Sequence, residues 1–241
     1  MPTVLVTGAN RGLGFEFAKQ YAVDKWNVIA CCRTSDKADK LQVLAQTNPD
    51  VRIEKLDIAD DSSIAALADK LKGTPIDLLI NNAGIYSGAG QRMTAESRDK
   101  SQGFGSLDSA AWMKALRVNA VAPIMVAQGF RKNLASGKGR KLVMISSRMG
   151  SIEQISRGGD IAYRTSKAAL NAAMKSISFD LRDHKITVVS FHPGWVQTDM
   201  GGKSADLTPE QSVTHIRQTI ATLQPQNSGR FLNYDGKPLP W

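Results

Sequence analysis

The chain holds only two cysteines in 241 residues, and they are neighbours, Cys31 and Cys32. Adjacent residues of a strand point to opposite faces. The pair therefore suits neither a disulfide framework nor a metal site, and a reducing, cytoplasmic setting is expected. Histidine is equally scarce. His184, His192 and His215 lie far apart without metal-ligand spacing, so structural roles are expected and a metal is not. No stretch approaches the roughly 18 consecutive apolar residues of a membrane span. The opening MPTVLVTG lacks the basic region and small-residue cleavage site of a signal peptide. What remains is an ordinary globular composition, 42% hydrophobic and 22% charged, of a length suited to one domain over residues 1–241.

The net charge is +9. Lysine and arginine are interspersed with acids, and the densest basic stretch is only GKGRK at 137–141. No nucleic-acid-binding signature accompanies it, so a solvated basic surface is expected rather than a nucleic-acid or membrane partner. Part of the charge could serve an anionic ligand.

Short β-rich runs alternate with longer amphipathic segments. Strands are predicted near 3–7, 26–31, 51–56, 76–80, 141–146, 186–191 and 230–234, and helices near 12–24, 36–46, 61–72, 108–135, 162–183 and 209–223. Thr208-Pro209-Glu210-Gln211 predicts a helix start, with Thr as N-cap, Pro at the first position and Gln closing a capping box. Alternating strands and helices predict an α/β fold, a mostly parallel sheet between two helical layers. The segments 86–107, 152–161 and 197–207 read as loops, and a loop as long as 86–107 is usually functional or mobile.

TGANRGLG (7–14) follows the first strand and opens the first helix. Glycines there let the backbone approach a pyrophosphate, and a helix N-terminus offers unpaired N–H groups and a positive dipole end. The second strand ends ACCRTSDK, with Arg33 where an NAD enzyme usually places an acid against the ribose 2′-hydroxyl. Guanidinium instead matches a 2′-phosphate, so NADP(H) is preferred and NAD(H) less expected. Tyr163 and Lys167 are four residues apart within AYRTSK and share a helix face. A neighbouring ammonium, together with an oxidised nicotinamide, would favour the phenolate, fitting Tyr163 to exchange a proton with a carbonyl or alcohol oxygen.

TGANRGLG, NNAG at 81–84, YRTSK at 163–167 and PGWVQTD at 193–199 together resemble the short-chain dehydrogenase/reductase family, in order and over nearly the whole chain. The ending GRFLNYDGKPLPW further resembles the branch of sniffer-type carbonyl reductases and C-factor-like proteins. The resemblance implies a three-layer Rossmann fold with a doubly wound, seven-stranded parallel sheet. It places a nicotinamide dinucleotide against Gly8, Asn10, Arg11, Gly12, Leu13 and Gly14, with Arg11 as a second contact to the 2′-phosphate. It adds Asn82, Ala83 and Gly84, then Pro193, Gly194, Val196 and Thr198, with Lys167 on the nicotinamide ribose. Asp57 and Ile58 follow the third strand; Asp57 reads equally as an adenine contact or a helix cap.

The catalytic set implied is Asn119, Ser147, Tyr163 and Lys167. Ser147 would hold the substrate oxygen, and Asn119 would reach Lys167 through water. Only one of Ser146 and Ser147 should face the cleft, and Ser147 is chosen. Trp195, Met200, Met149 and Tyr86 are candidate pocket linings, with 195–208 as substrate loop. The expected function is NADPH-dependent reduction of an aldehyde or ketone. NAD-linked alcohol oxidation and a cofactor-binding regulator stand as alternatives. A homodimer or homotetramer through the helices at 108–135 and 162–183 is implied.

Overall fold

The computed structural model describes residues 1–86 and 103–241. Seven strands form one sheet: β1 (Thr3–Thr7), β2 (Asn27–Cys32), β3 (Val51–Lys55), β4 (Leu78–Asn81), β5 (Lys141–Ile145), β6 (Thr187–His192) and β7 (Arg230–Asn233). Their order is β3-β2-β1-β4-β5-β6-β7, and every pairing is parallel. The order reverses between β1 and β4. In such sheets the crevice beyond the carboxyl ends at the reversal is where ligands bind.

Side-chain alternation divides the core into two layers. Val4, Val6, Val28, Ile80, Val143 and Phe191 face one way. They meet Phe17 and Tyr21 of α1 (Gly12–Val23), Leu41 of α2 (Asp39–Thr47), and Val213, Ile216 and Ile220 of α8 (Pro209–Thr222). Leu5, Ile29, Leu79, Leu142 and Val188 face the other way, against Ile64 and Leu67 of α3 (Asp61–Lys70). On that side lie also Val126 of α5 (Ala122–Gly129) and Leu170 and Met174 of α7 (Ile161–Asp180). Apolar strands covered on both faces are the signature of a parallel sheet. Cys31 and Cys32 fall into opposite layers, both free and buried, and burial pushes both thiols' pKa up.

The capping box is present: Thr208 Oγ1 accepts from Gln211 N at 3.2 Å, and Gln211 Oε1 accepts from Thr208 N at 2.9 Å. Asp60 and Asp108 cap α3 and α4 (Ser109–Leu116) in the same manner, each accepting a backbone N–H. The sequence predicts one helix over 108–135, and here the structure differs. A π-helical segment, Arg117–Val121, joins α4 to α5, and Ala122 N donates five residues back to Arg117 O. Pro123 brings no N–H to the next rung. The chain leaves helical geometry at Phe130 before α6 (Arg131–Ser136). The long loop predicted at 86–107 lies mostly outside the described residues. No helix among the described residues is long and apolar enough to cross a membrane.

At the amino edge, the buried Asp77 carboxylate joins three segments. It accepts from Thr3 N at 2.7 Å, Lys138 N at 2.7 Å and Gly139 N at 2.9 Å. Asp77→Ala strands three buried or half-buried donors, each costing ~1–3 kcal/mol. Urea denaturation should show a loss of about 3 kcal/mol or more relative to wild type, with Asp77→Asn intermediate.

Candidate active site

The carboxyl edge is shaped by hydrogen bonds between the ends of β1 and β4. Thr7 Oγ1 accepts from Asn82 N at 3.0 Å and Ala83 N at 3.1 Å. Asn82 Nδ2 donates to Thr7 O at 2.9 Å and Gly8 O at 3.3 Å. The first turn of α1 packs directly behind. A Cβ on residue 14 would lie 2.1 Å from Gly8 O and 2.5 Å from Asn82 Nδ2, so only glycine fits. Arg11 precedes α1 without giving it a side-chain cap, leaving the helix N-terminus its free N–H groups, a natural anion site.

A cavity of about 440 Å³ opens here. Gly8, Asn10, Arg11, Gly12 and Leu13 line one side, with Arg33, Asp57 and Ile58 beyond. Asn82, Ala83, Gly84, Lys167, Pro193 and Thr198 complete the expected contacts. Lys114 and Arg117, which the sequence reading missed, add positive charge. Glycine backbone, an uncapped helix start and five basic side chains together fit a phosphate-bearing dinucleotide.

Several expected contacts are placed otherwise. Gly14 packs behind the turn instead of lining the cavity, because Gly8 O occupies the space beside it. Gly194 and Val196 line a neighbouring cavity. Arg11 pairs with Asp199 at 3.0 Å, an exposed ion pair from the other end of the chain. Asp57 Oδ1 accepts from Ala59 N at 3.0 Å in the turn before α3, and the helix cap is Asp60. Asn119 lines neither cavity. Its Nδ2 donates to Ile85 O at 2.7 Å and Ser166 Oγ at 3.0 Å, and its Oδ1 accepts from Ile85 N at 2.8 Å. It ties the exit of β4 to α7. A side chain at position 84 would lie 3.1 Å from Asn119 Oδ1 and 3.7 Å from Lys167 Nζ, so both border one space.

The neighbouring cavity, about 600 Å³, is lined by Ser147, Tyr163 and all four apolar candidates, Tyr86, Met149, Trp195 and Met200. The segment 195–208 frames it, closed on itself by Leu207 N to Trp195 O at 3.0 Å and Gln197 N to Leu207 O at 2.8 Å. Tyr163 and Ser146 belong to the walls of both cavities.

Two features place Ser147 against Tyr163. Just after β5 both serines reach the cavity wall, but the Ser146 hydroxyl is engaged, donating to Asn171 Oδ1 at 2.7 Å. The short helical turn Arg148–Gly150 then lies on α7, and a Cβ at residue 150 would come within 2.7 Å of the Lys167 backbone. Burial pushes the Tyr163 phenol up to about 12, and the Ser147 hydroxyl beside it opposes the shift. Burial thus opposes the phenolate, and in the folded chain Tyr163 is a neutral acid at neutral pH. Lys167 Nζ donates to Ile145 O at 2.9 Å and lies 5.9 Å from the Tyr163 ring centroid. Burial lowers its pKa to about 8.

The sequence reading also missed the contacts of Asp160. This buried residue bonds the Tyr86 phenol and pairs with Arg157 at 3.0 Å. Tyr86 packs against Tyr163 with ring centroids 4.9 Å apart. Among the described residues no cluster of histidine, cysteine and acidic side chains could hold a metal.

Residues 2–208 match the model of the short chain dehydrogenase family. The chain is an oxidoreductase of that family. It is 40% identical to the C-signal protein of Myxococcus xanthus over 73% of this chain and 99% of that one. The solved structure of the carbonyl reductase Sniffer of D. melanogaster superposes with a TM-score of 0.88 at 36% identity, over all of both chains. An NADPH-bound carbonyl reductase from chicken fatty liver gives 0.87 at 34%, over all of this chain and 94% of that one.

Lys167 loses its charge as pH rises through about 8, whereas Tyr163 keeps its proton to about 12. If the ammonium supports the phenolate left after proton transfer, kcat/KM for reduction should fall by about tenfold per pH unit on the alkaline side, from near pH 8. A profile flat to pH 10 would separate Lys167 from the chemistry.

Proposed function

We propose that the chain reduces an aldehyde or ketone to an alcohol, with NADPH as reductant and Tyr163 as proton donor. The observation that carries this reading is the placement of a neutral, buried Tyr163 on the wall shared by two cavities. One is basic and glycine-lined, and the other is largely apolar. The first, through its glycine backbone and basic side chains, would hold NADPH, whose chemistry there would be hydride donation.

The chain's own groups account for the rest. Ser147 and Tyr163 present hydroxyls to one carbonyl oxygen, so the charge that develops there meets donors already in place. The Tyr163 O–H bond breaks as the new O–H bond of the alcohol forms. The phenolate left behind is favoured by the Lys167 ammonium, which β5 holds through Ile145 O, and is reprotonated from solvent. Asn119 acts as a brace that fixes Ile85 and α7 at the cofactor side. Arg33 directly follows β2, at the position where an NAD enzyme usually places an acid against the free 2′-hydroxyl. The structural relative crystallised with NADPH supports the same choice.

The test is NADPH oxidation against a panel of aldehydes, ketones and quinones, with NADH alongside. Turnover with NADPH is expected to exceed turnover with NADH. Arg33→Asp should lower kcat/KM for NADPH by about tenfold or more, by losing a charge-assisted phosphate contact worth roughly 1.5–3 kcal/mol. Equal use of both cofactors by wild type would contradict the assignment of Arg33. Tight NADPH binding without reduction of any compound would favour a cofactor-binding regulator, the reading that likeness to C-signal suggests.

A further inference from the structure

Three guanidinium groups line the substrate cavity, and the chemistry just described uses none of them. Arg148 follows Ser147, Arg164 follows Tyr163, and Arg157 comes from the loop between them. No aspartate or glutamate side chain among the described residues lines that cavity. Arg157 is already neutralised by Asp160. Arg148 and Arg164 make no ion pair with any described residue. Arg148 is exposed, but Arg164 is half-buried, and its Nε is shut away from solvent without an acceptor among the described residues. A buried N–H left unpaired costs ~1–3 kcal/mol, so such groups call for an explanation.

A second observation sits on the same wall. His192, at the carboxyl end of β6, is buried to 9% exposure and its Nδ1 also lacks a partner among the described residues. Burial, and then the charge of Arg148, lower its pKa to about 4. At neutral pH the imidazole therefore stays uncharged, leaving the positive sign of this wall to the arginines. The cofactor cavity has basic side chains of its own, among which Arg33 and Lys114 make no ion pair with any described residue.

We infer that the substrate is a carbonyl compound with an anionic end, a carboxylate or a phosphate, held by Arg148 and Arg164 while Ser147 and Tyr163 hold the carbonyl oxygen. This rests on the reductase reading above and narrows its substrate class. All four side chains line one cavity, so a spacer within a single molecule can join anion to carbonyl. Guanidinium forks match both carboxylate and phosphate oxygens. Met149, Trp195 and Met200 supply apolar contact for the spacer.

The experiment uses three aldehydes of one shape: 4-carboxybenzaldehyde, 4-formylphenyl phosphate and the neutral methyl 4-formylbenzoate. With NADPH, kcat/KM for at least one anionic aldehyde should exceed that for the ester by about tenfold or more. The anion that is favoured identifies which of the two is the ligand. In the Arg148→Gln/Arg164→Gln double variant that ratio should fall to within about twofold of unity, while Arg131→Gln on α6 keeps the wild-type ratio. A wild-type ratio of one, or a ratio unchanged in the double variant, overturns the inference.

Calorimetric binding of benzoate and phenyl phosphate to the NADP⁺-loaded protein tests the subsite without turnover. Affinity for the favoured anion should drop about tenfold in the double variant, and an unchanged affinity overturns the anion site. Arginine-dependent binding with no aldehyde reduced upholds the subsite and removes the reductase reading. Reduction of the ester as fast as both anions does the reverse.

Discussion

The hydrogen bonds between Thr7 and Asn82 are the constraint on which the site depends. β1 and β4 run side by side in register until Val6 and Ile80, and beyond them their chains must separate in opposite directions. Thr7 Oγ1 holds the backbone of Asn82 and Ala83, while the Asn82 amide holds the carbonyls of Thr7 and Gly8. The two chains are thus fixed at the point where the sheet stops supplying partners. The space between them becomes the cofactor cavity, and α1 can start against it only because residue 14 has no side chain. The far wall is then set by β5 and α7, which bring Ser147, Tyr163 and Lys167 to the rim.

The electrostatics of that rim follow from burial. Tyr163 and Lys167 are 8% and 5% exposed, and burial is the main cause of both shifts. Both are pushed toward their neutral forms. For Lys167 the drop from 10.5 to about 8 corresponds to roughly 3 kcal/mol in favour of the uncharged amine. A neutral tyrosine suits proton donation, and a lysine near its midpoint can gain or lose charge at little cost as the phenol ionises. The sheet and its two apolar layers hold these groups where isolated chains would keep them in water.

Most of the fold was legible in the chain because it is written in local patterns. Apolar runs of strand length marked all seven strands, and the Thr208–Gln211 box marked the start of α8 to the residue. Alternation said only that one of Ser146 and Ser147 should face the cleft, yet both reach its wall just after β5. The segment 108–135 was read as one helix, and only the structure shows the π turn just ahead of Pro123. Other features were illegible because their partners are remote in sequence. Arg11 meets Asp199, Tyr86 meets Asp160, and Asn119 meets Ile85 and Ser166, pairings that no spacing rule encodes. Arg148 and Arg164 could have been noticed as the residues following Ser147 and Tyr163. Their common cavity appears only once β5 and α7 are packed together.

The central claim is that Tyr163, held neutral by burial, gives the proton in carbonyl reduction. Removing its hydroxyl alone tests this most directly, by single-turnover oxidation of prebound NADPH in wild type and Tyr163→Phe. The expected result is NADPH affinity within about twofold of wild type and a reduction rate lower by a factor on the order of 10³. A phenylalanine variant that binds NADPH and reduces the same carbonyl at a rate close to wild type would contradict the claim.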